Sequence, residues 1–112
     1  MLEVKSKEQF DEAIQNEIVL FYLYAPWCGP CKVVSPILKE LSEQLPYVKF
    51  AKTNVEDLPK VAEELNVNSI PTVLTFVDGS VVETSIGFNQ SEHYTAMIIR
   101  ALEQSKLADK VD

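Results

Sequence analysis

The apolar patterns along the chain predict an α/β protein: a central mixed β-sheet of about five strands in the order βαβαβαββα, flanked by helices on both faces. Three observations carry this. Residues 18–24 form a continuous apolar and aromatic run, which suits a central strand covered on both faces. Strand-like runs alternate with stretches of helical spacing, such as Val34, Ile37, Leu38, Leu41 and Leu45. Near the end, Asp78-Gly79 separates Thr72–Val77 from Val81–Ile86, a strong hairpin signal. Helix crossovers pair strands parallel and a hairpin pairs them antiparallel, so the sheet is expected to be mixed.

In order, a short strand is expected at Leu2–Val4. Ser6 then caps a helix, with Gln9 three residues on as in a capping box, and Phe10, Ala13 and Ile14 share its inner face. After the central strand comes the helix of Val34 to Leu45, which Pro36 should kink. A strand follows at Tyr47–Thr53. Asp57 is placed to cap a short helix with Leu58, Val61, Ala62 and Leu65 inward. Asn89, with Glu92 three on, is placed to cap a last helix burying Tyr94, Met97, Ile98, Ala101 and Leu102.

A length of 112 residues fits one domain over 1–112, large enough for a core without disulfide staples, with a polar tail from about 105 to 112. The net charge of −7 argues against nucleic acid and anionic lipid as partners. No apolar stretch approaches the ~20 residues of a membrane span, and no signal peptide is evident at the start. A cytoplasmic monomer is expected.

The 2 cysteines, Cys28 and Cys31, stand between the apolar strand and the following helix. A disulfide across so short a loop constrains the unfolded chain little. Three uses compete. Zinc needs ~4 ligands, and only His93 and scattered carboxylates remain to supply them. Two cysteines can also pack as small core residues. Redox use is favoured by the position: unpaired N–H groups at a helix N-terminus favour a thiolate at Cys28, lowering its pKa. Cys28 would attack a substrate disulfide, and Cys31, a turn further in, would resolve the mixed disulfide. Gly29 leaves the approach open, Pro30 suits a first helical turn, and the charge of Lys32 is placed to help hold the thiolate.

Trp27-Cys28-Gly29-Pro30-Cys31 resembles the active-site signature of thioredoxins, and the likeness runs nearly end to end. Ala25, Lys32, Pro36, Ala51-Lys52 with Asn54, Ile70-Pro71-Thr72, Asp78-Gly79 and Gly87 match in order. The resemblance implies the thioredoxin fold and a general protein-disulfide reductase. It would need no bound cofactor or metal, would act on disulfide-containing proteins, and would be recharged by a thioredoxin-reductase-type donor. It further implies a cis bond before Pro71, exposing the backbone of Ile70 to an extended substrate segment. Trp27, Pro30, Ile70, Gly87 and Phe88 would form an apolar rim around Cys28. The plainer alternatives are a core Trp27, a trans Pro71 and a turn glycine at 87.

One departure stands out. Thioredoxins usually carry a buried aspartate six residues before the first cysteine, and here that position is Tyr22. The aspartate helps move a proton from the second cysteine, near a lysine that Lys52 matches. Tyrosine, with an unperturbed pKa of ~10, cannot serve as a carboxylate. Tyr22 is therefore either a weaker hydroxyl relay or a packing residue beside Phe21 and Tyr24. Lys52, without that partner, is expected to extend to solvent, and His93 to be solvated. Two further functions stay open: a specialised redox partner of one target, and a redox-independent binding module on the same scaffold.

Overall fold

The structure is a computed structural model that describes residues 1–105. Its elements are β1 (Leu2–Glu3), α1 (Lys7–Ala13), β2 (Ile18–Tyr24), α2 (Cys31–Gln44), β3 (Lys49–Asn54), α3 (Pro59–Glu64), β4 (Thr72–Val77), β5 (Ser80–Ile86) and α4 (Ser91–Gln104). They build a five-stranded mixed sheet in the order β1-β3-β2-β4-β5, the fold class the sequence predicts. β1 and β2 run parallel to β3, while β4 pairs antiparallel with β2 and β5 with β4. The mixing therefore has a source besides the hairpin: β4 follows a helix yet runs against β2. That reversal sets Thr72, at the start of β4, opposite Leu23, at the end of β2.

The unbroken apolar run of β2 follows from its central place. Successive side chains point to opposite faces. Ile18, Leu20 and Tyr22 join a core with Val34, Leu38 and Leu41 of α2 and Tyr94, Met97, Ile98 and Ala101 of α4. Val19, Phe21 and Leu23 join Phe10 and Ala13 of α1 and Val61 and Ala62 of α3 on the other face. There Phe10, Phe21 and Phe76 meet edge to face, with ring centroids 5.1 to 6.3 Å apart. The parity of Tyr22 thus decides that its ring lies under α2.

The hairpin turn has Asp78 at φ 50° and Gly79 at φ 86°. Both lie in the left-handed region that a two-residue turn between twisted strands demands. Ser6 caps α1: its Oγ accepts from the Gln9 amide at 3.1 Å, while Gln9 Oε1 accepts from the Lys5 amide at 2.7 Å.

The other two expected caps differ. Leu58 holds the cap position of α3, with Pro59 at its start and no side-chain cap bond. Asp57 instead closes a turn through its own amide on the Asn54 carbonyl, 2.9 Å away. Pro59 has no N–H to satisfy, so α3 begins without a carboxylate cap. At α4 the cap position is Gln90, and Asn89 turns back to donate to Ser85 Oγ at 3.1 Å. Boundaries shift too. β1 ends at Glu3, and β3 runs Lys49–Asn54 because Pro46 and exposed Tyr47 belong to the turn before it. Pro36 stands inside α2 without ending it. Ser105, expected to open a polar tail, is buried and donates through Oγ to the Leu102 carbonyl. The rest of that expected tail, 106–112, lies outside the described residues.

Candidate active site

Three loops meet at one end of the sheet, and the strand pairing brings them there. Leu23 faces Thr72, and Thr72 faces Ile86. The segments just beyond these residues are therefore neighbours: 25–30 after β2, Ile70-Pro71 before β4, and Gly87-Phe88 after β5. The Gly87 amide donates to the Pro71 carbonyl at 2.8 Å, and the Ile70–Pro71 bond is cis. Gly87 has φ 87°, and a Cβ built there would meet nothing within 4 Å. Glycine is thus required at 87 by backbone conformation and not by space.

Cys28 and Cys31 are joined in a disulfide, with Cα atoms 5.3 Å apart. The helix begins at Cys31, not at Cys28 as the sequence suggests; Pro30, at φ −58°, occupies the cap position. Pro30 has no amide hydrogen, so a turn at Gly29-Pro30 separates Cys28 from the helix proper. The electrostatic relation survives this shift. The Cys31 amide, at the head of α2, donates to Cys28 Sγ at 3.3 Å. Lys32 is exposed on the same first turn.

Several apolar side chains on these loops and at the adjoining end of β5 are exposed. Trp27 is 68% exposed, Ile86 67% and Phe88 44%, whereas Cys28 is only 4% exposed. Gly29 and Pro30 are exposed and Ile70 is half-buried. Trp27 is therefore a surface residue and not core packing. Its indole Nε1 donates to Glu56 Oε2 at 3.3 Å, which orients the ring. Between Trp27 and Ile70 lies a hollow of about 160 Å³, walled by Val55, Ala62 and Val67.

Beneath the disulfide, Tyr22 is fully buried. Its hydroxyl donates to the Cys31 carbonyl at 3.1 Å and shares a 2.9 Å hydrogen bond with Ser35 Oγ. Burial raises its phenol pKa above the ordinary value, and the Ser35 bond only partly offsets this. Its ring stacks on Tyr24 at 5.5 Å.

Lys52 does not extend freely to solvent. Its Nζ lies 3.8 Å from Glu3 Oε1 and 5.4 Å from the centre of the Tyr24 ring. Tyr24 in turn bonds the Glu3 carboxylate at 2.9 Å, and its hydroxyl is pushed up to about 12 by burial first and by Glu3 second. His93 is likewise not simply solvated: Nε2 lies 2.9 Å from the buried Ser85 hydroxyl.

Ser35, Glu3 and Glu56 escaped the sequence reading. Ser35 was discoverable, since it lies one helical turn after Cys31 on the same face. Glu3 and Glu56 come from distant segments and carry no local signal. Among the described residues, no cluster of three or more His, Cys, Asp or Glu side chains could hold a metal ion.

A thioredoxin family profile matches residues 1–100. The chain belongs to the thioredoxin family. It is 39% identical over 98 residues to the thioredoxin of Chlamydia trachomatis, covering 88% of this chain and 96% of that one. It is 40% identical over 101 residues to the thioredoxin of Bacillus subtilis, covering 88% and 97%. Among solved structures, a mutant thioredoxin from Halobacterium salinarum superposes with a TM-score of 0.85 at 31% identity, covering 89% of this chain and 88% of that one. Plasmodium falciparum thioredoxin gives 0.82 at 35%, covering 87% and 96%. As a member of this family, the chain is a dithiol–disulfide oxidoreductase of the protein-disulfide reductase type, built around the Cys28–Cys31 pair. Its substrates are disulfide-containing proteins, and a reductase supplies its electrons.

Proposed function

We propose that Cys28 is the attacking thiolate and Cys31 the resolving thiol. The observation that carries the assignment is the Cys31 amide aimed at Cys28 Sγ from the head of α2. An N–H donor and the positive end of a helix favour a sulfur anion at Cys28. In the first step Cys28 forms a bond to one sulfur of the substrate disulfide, and the other leaves as a thiolate and takes up a proton. In the second, Cys31 loses its proton and attacks Cys28 Sγ. The mixed disulfide breaks and the second substrate thiol departs. The substrate gains two electrons, and the chain is left in the disulfide form described above. The dithiol carries both electrons, so the reaction needs no bound cofactor or metal.

The substrate lies across Trp27, Pro30, Ile70, Gly87 and Phe88. The cis bond before Pro71 supports this, because it stands between the cysteine-bearing and glycine-bearing loops with the Ile70 backbone beside them. Gly29 keeps the face over Cys28 open, and Lys32 adds positive charge near it. Lys52 acts at one remove, through Glu3 and Tyr24. Tyr22 serves the second step through the Cys31 segment. The protein works as a cytoplasmic monomer, recharged by a reductase of the kind that serves thioredoxins. Its net charge of −7 supports partners other than nucleic acid or anionic membrane.

The test is single-turnover reduction of a protein disulfide by the pre-reduced chain. Cys31→Ser should accumulate a mixed disulfide on Cys28, and Cys28→Ser should accumulate none. Trapping on Cys31 instead would reverse the two roles. No reaction by the folded, reduced parent chain would sink the reading altogether.

A further inference from the structure

Residues 87–90 join β5 to α4 and carry Phe88, an exposed aromatic side chain. The residues on either side of Phe88 are tied down. The Tyr94 hydroxyl reaches back from α4 to the Gly87 carbonyl at 3.5 Å. Asn89 Nδ2 donates to Ser85 Oγ at 3.1 Å, and His93 Nε2 lies 2.9 Å from the same oxygen. The His93 and Tyr94 rings meet edge to face at 5.5 Å. Ser85 is a fixed anchor, because it belongs to β5 and pairs with Val73 of β4. It is only 7% exposed, so water is a poor substitute for its partners.

The hydrogens along this chain can be counted. Ser85 Oγ receives one from Asn89 and has one of its own to give. The other group it faces is His93, so Nε2 accepts that hydrogen and the ring keeps its own on Nδ1. The bonds run in one direction, from Asn89 through Ser85 to His93. Without the imidazole, the buried hydroxyl has no acceptor unless Asn89 turns, and the grip on Asn89 weakens.

We infer that His93 is a positioning residue for disulfide reduction: through Ser85 and Asn89 it fixes the 87–89 loop so that Phe88 is presented to a protein substrate. The inference rests on Phe88 belonging to the substrate face proposed above. An exposed aromatic on a loose loop binds less well by the fraction of time it is misplaced. The clamp therefore favours substrates large enough to reach Phe88 while Cys28 attacks their disulfide. A small disulfide that touches only Cys28 gains nothing from it.

The experiment measures the rate at which the pre-reduced chain captures two disulfides, insulin and bis(2-hydroxyethyl) disulfide. It uses the parent chain, His93→Leu, His93→Gln, Phe88→Ala and the His93→Leu/Phe88→Ala double variant. His93→Leu should slow capture of insulin about fivefold, the equivalent of one ordinary hydrogen bond. Capture of the small disulfide should stay within about twofold, and the unfolding midpoint should stay close to that of the parent chain. His93→Gln, whose side-chain oxygen can replace Nε2 as acceptor, should restore the insulin rate. The double variant should be no slower with insulin than Phe88→Ala alone. Slow insulin capture by Phe88→Ala with a parent rate in His93→Leu would overturn the clamp. So would equal slowing of both disulfides, or losses that multiply in the double variant. An unchanged insulin rate in Phe88→Ala would strike the substrate face itself, and the clamp with it.

Discussion

The amide of Cys31 donates to the sulfur of Cys28 across 3.3 Å, from the first residue of α2. This one bond distinguishes two cysteines that are almost equally buried in the disulfide form, at 4% and 3% exposure. In the reduced chain it should make Cys28 the faster nucleophile. Alkylation at neutral pH, read by mass spectrometry of the digested chain, should modify Cys28 at least about 10-fold faster than Cys31. Equal rates would mean that the helix terminus does not discriminate between them.

Gly29 lies between the two cysteines and Gly87 follows β5, and both have open space where a Cβ would stand. Only Gly87 has a left-handed backbone, at φ 87°. Gly87→Ala should therefore lower stability by about 1–2 kcal/mol, while Gly29→Ala should change it by less than about 0.5 kcal/mol. Urea unfolding of the two variants measures the difference directly.

Trp27 is the largest exposed apolar side chain at the site, held by Glu56 at 3.3 Å. Trp27→Ala removes little from the core, so its unfolding midpoint should stay close to that of the parent chain. The rate of mixed-disulfide formation with a protein disulfide should fall several-fold, because an apolar contact beside Cys28 is lost. A large stability loss with unchanged capture would make Trp27 a structural residue.

The Phe10, Phe21 and Phe76 cluster lies on the face of the sheet away from the disulfide. Phe10 is 3% exposed, and Phe10→Ala should cost about 3–5 kcal/mol in denaturant unfolding. Under conditions where the variant remains folded, its exchange rate should match that of the parent chain. A specific loss of exchange would show coupling through β2.

Tyr24 holds its proton up to about 12, through burial and then the Glu3 carboxylate. An unfolded tyrosine titrates near ~10, so the folded state keeps a proton that the unfolded state loses. The Tyr24 contribution is fully present below pH ~10 and disappears as pH rises through about 12. Tyrosinate absorbance should show one fewer late-titrating tyrosine in Tyr24→Phe. Stability of that variant should fall less steeply across the same window. Titration of all tyrosines together near 10 would contradict the burial assigned to this side chain.

Local signals made much of this molecule legible. The run from Ile18 to Tyr24 marked a strand with both faces covered, and its alternate side chains do divide between two cores. Asp78-Gly79 marked the hairpin because its backbone conformation is written in those two residues. The caps at Asp57 and Asn89 failed for a shared reason. A cap motif states which residue could bond to a helix terminus, but Pro59 moved one start and Ser85 drew Asn89 away from the other.

Element order, the position of the dithiol between a central strand and a helix, and the family to which that pattern belongs were all readable along the chain. They depend on periodicity, turn chemistry and residues adjacent in sequence. The direction of β4, which brings Pro71 and Gly87 to the cysteine loop, emerged only on folding. So did the meeting of Lys52 with Glu3 and Tyr24, and the link from Cys31 through Tyr22 to Ser35. Glu3 and Lys52 are far apart along the chain, and parallel pairing of β1 with β3 makes them direct neighbours. Contacts of that kind follow from strand pairing and side-chain parity, which no local stretch of sequence contains.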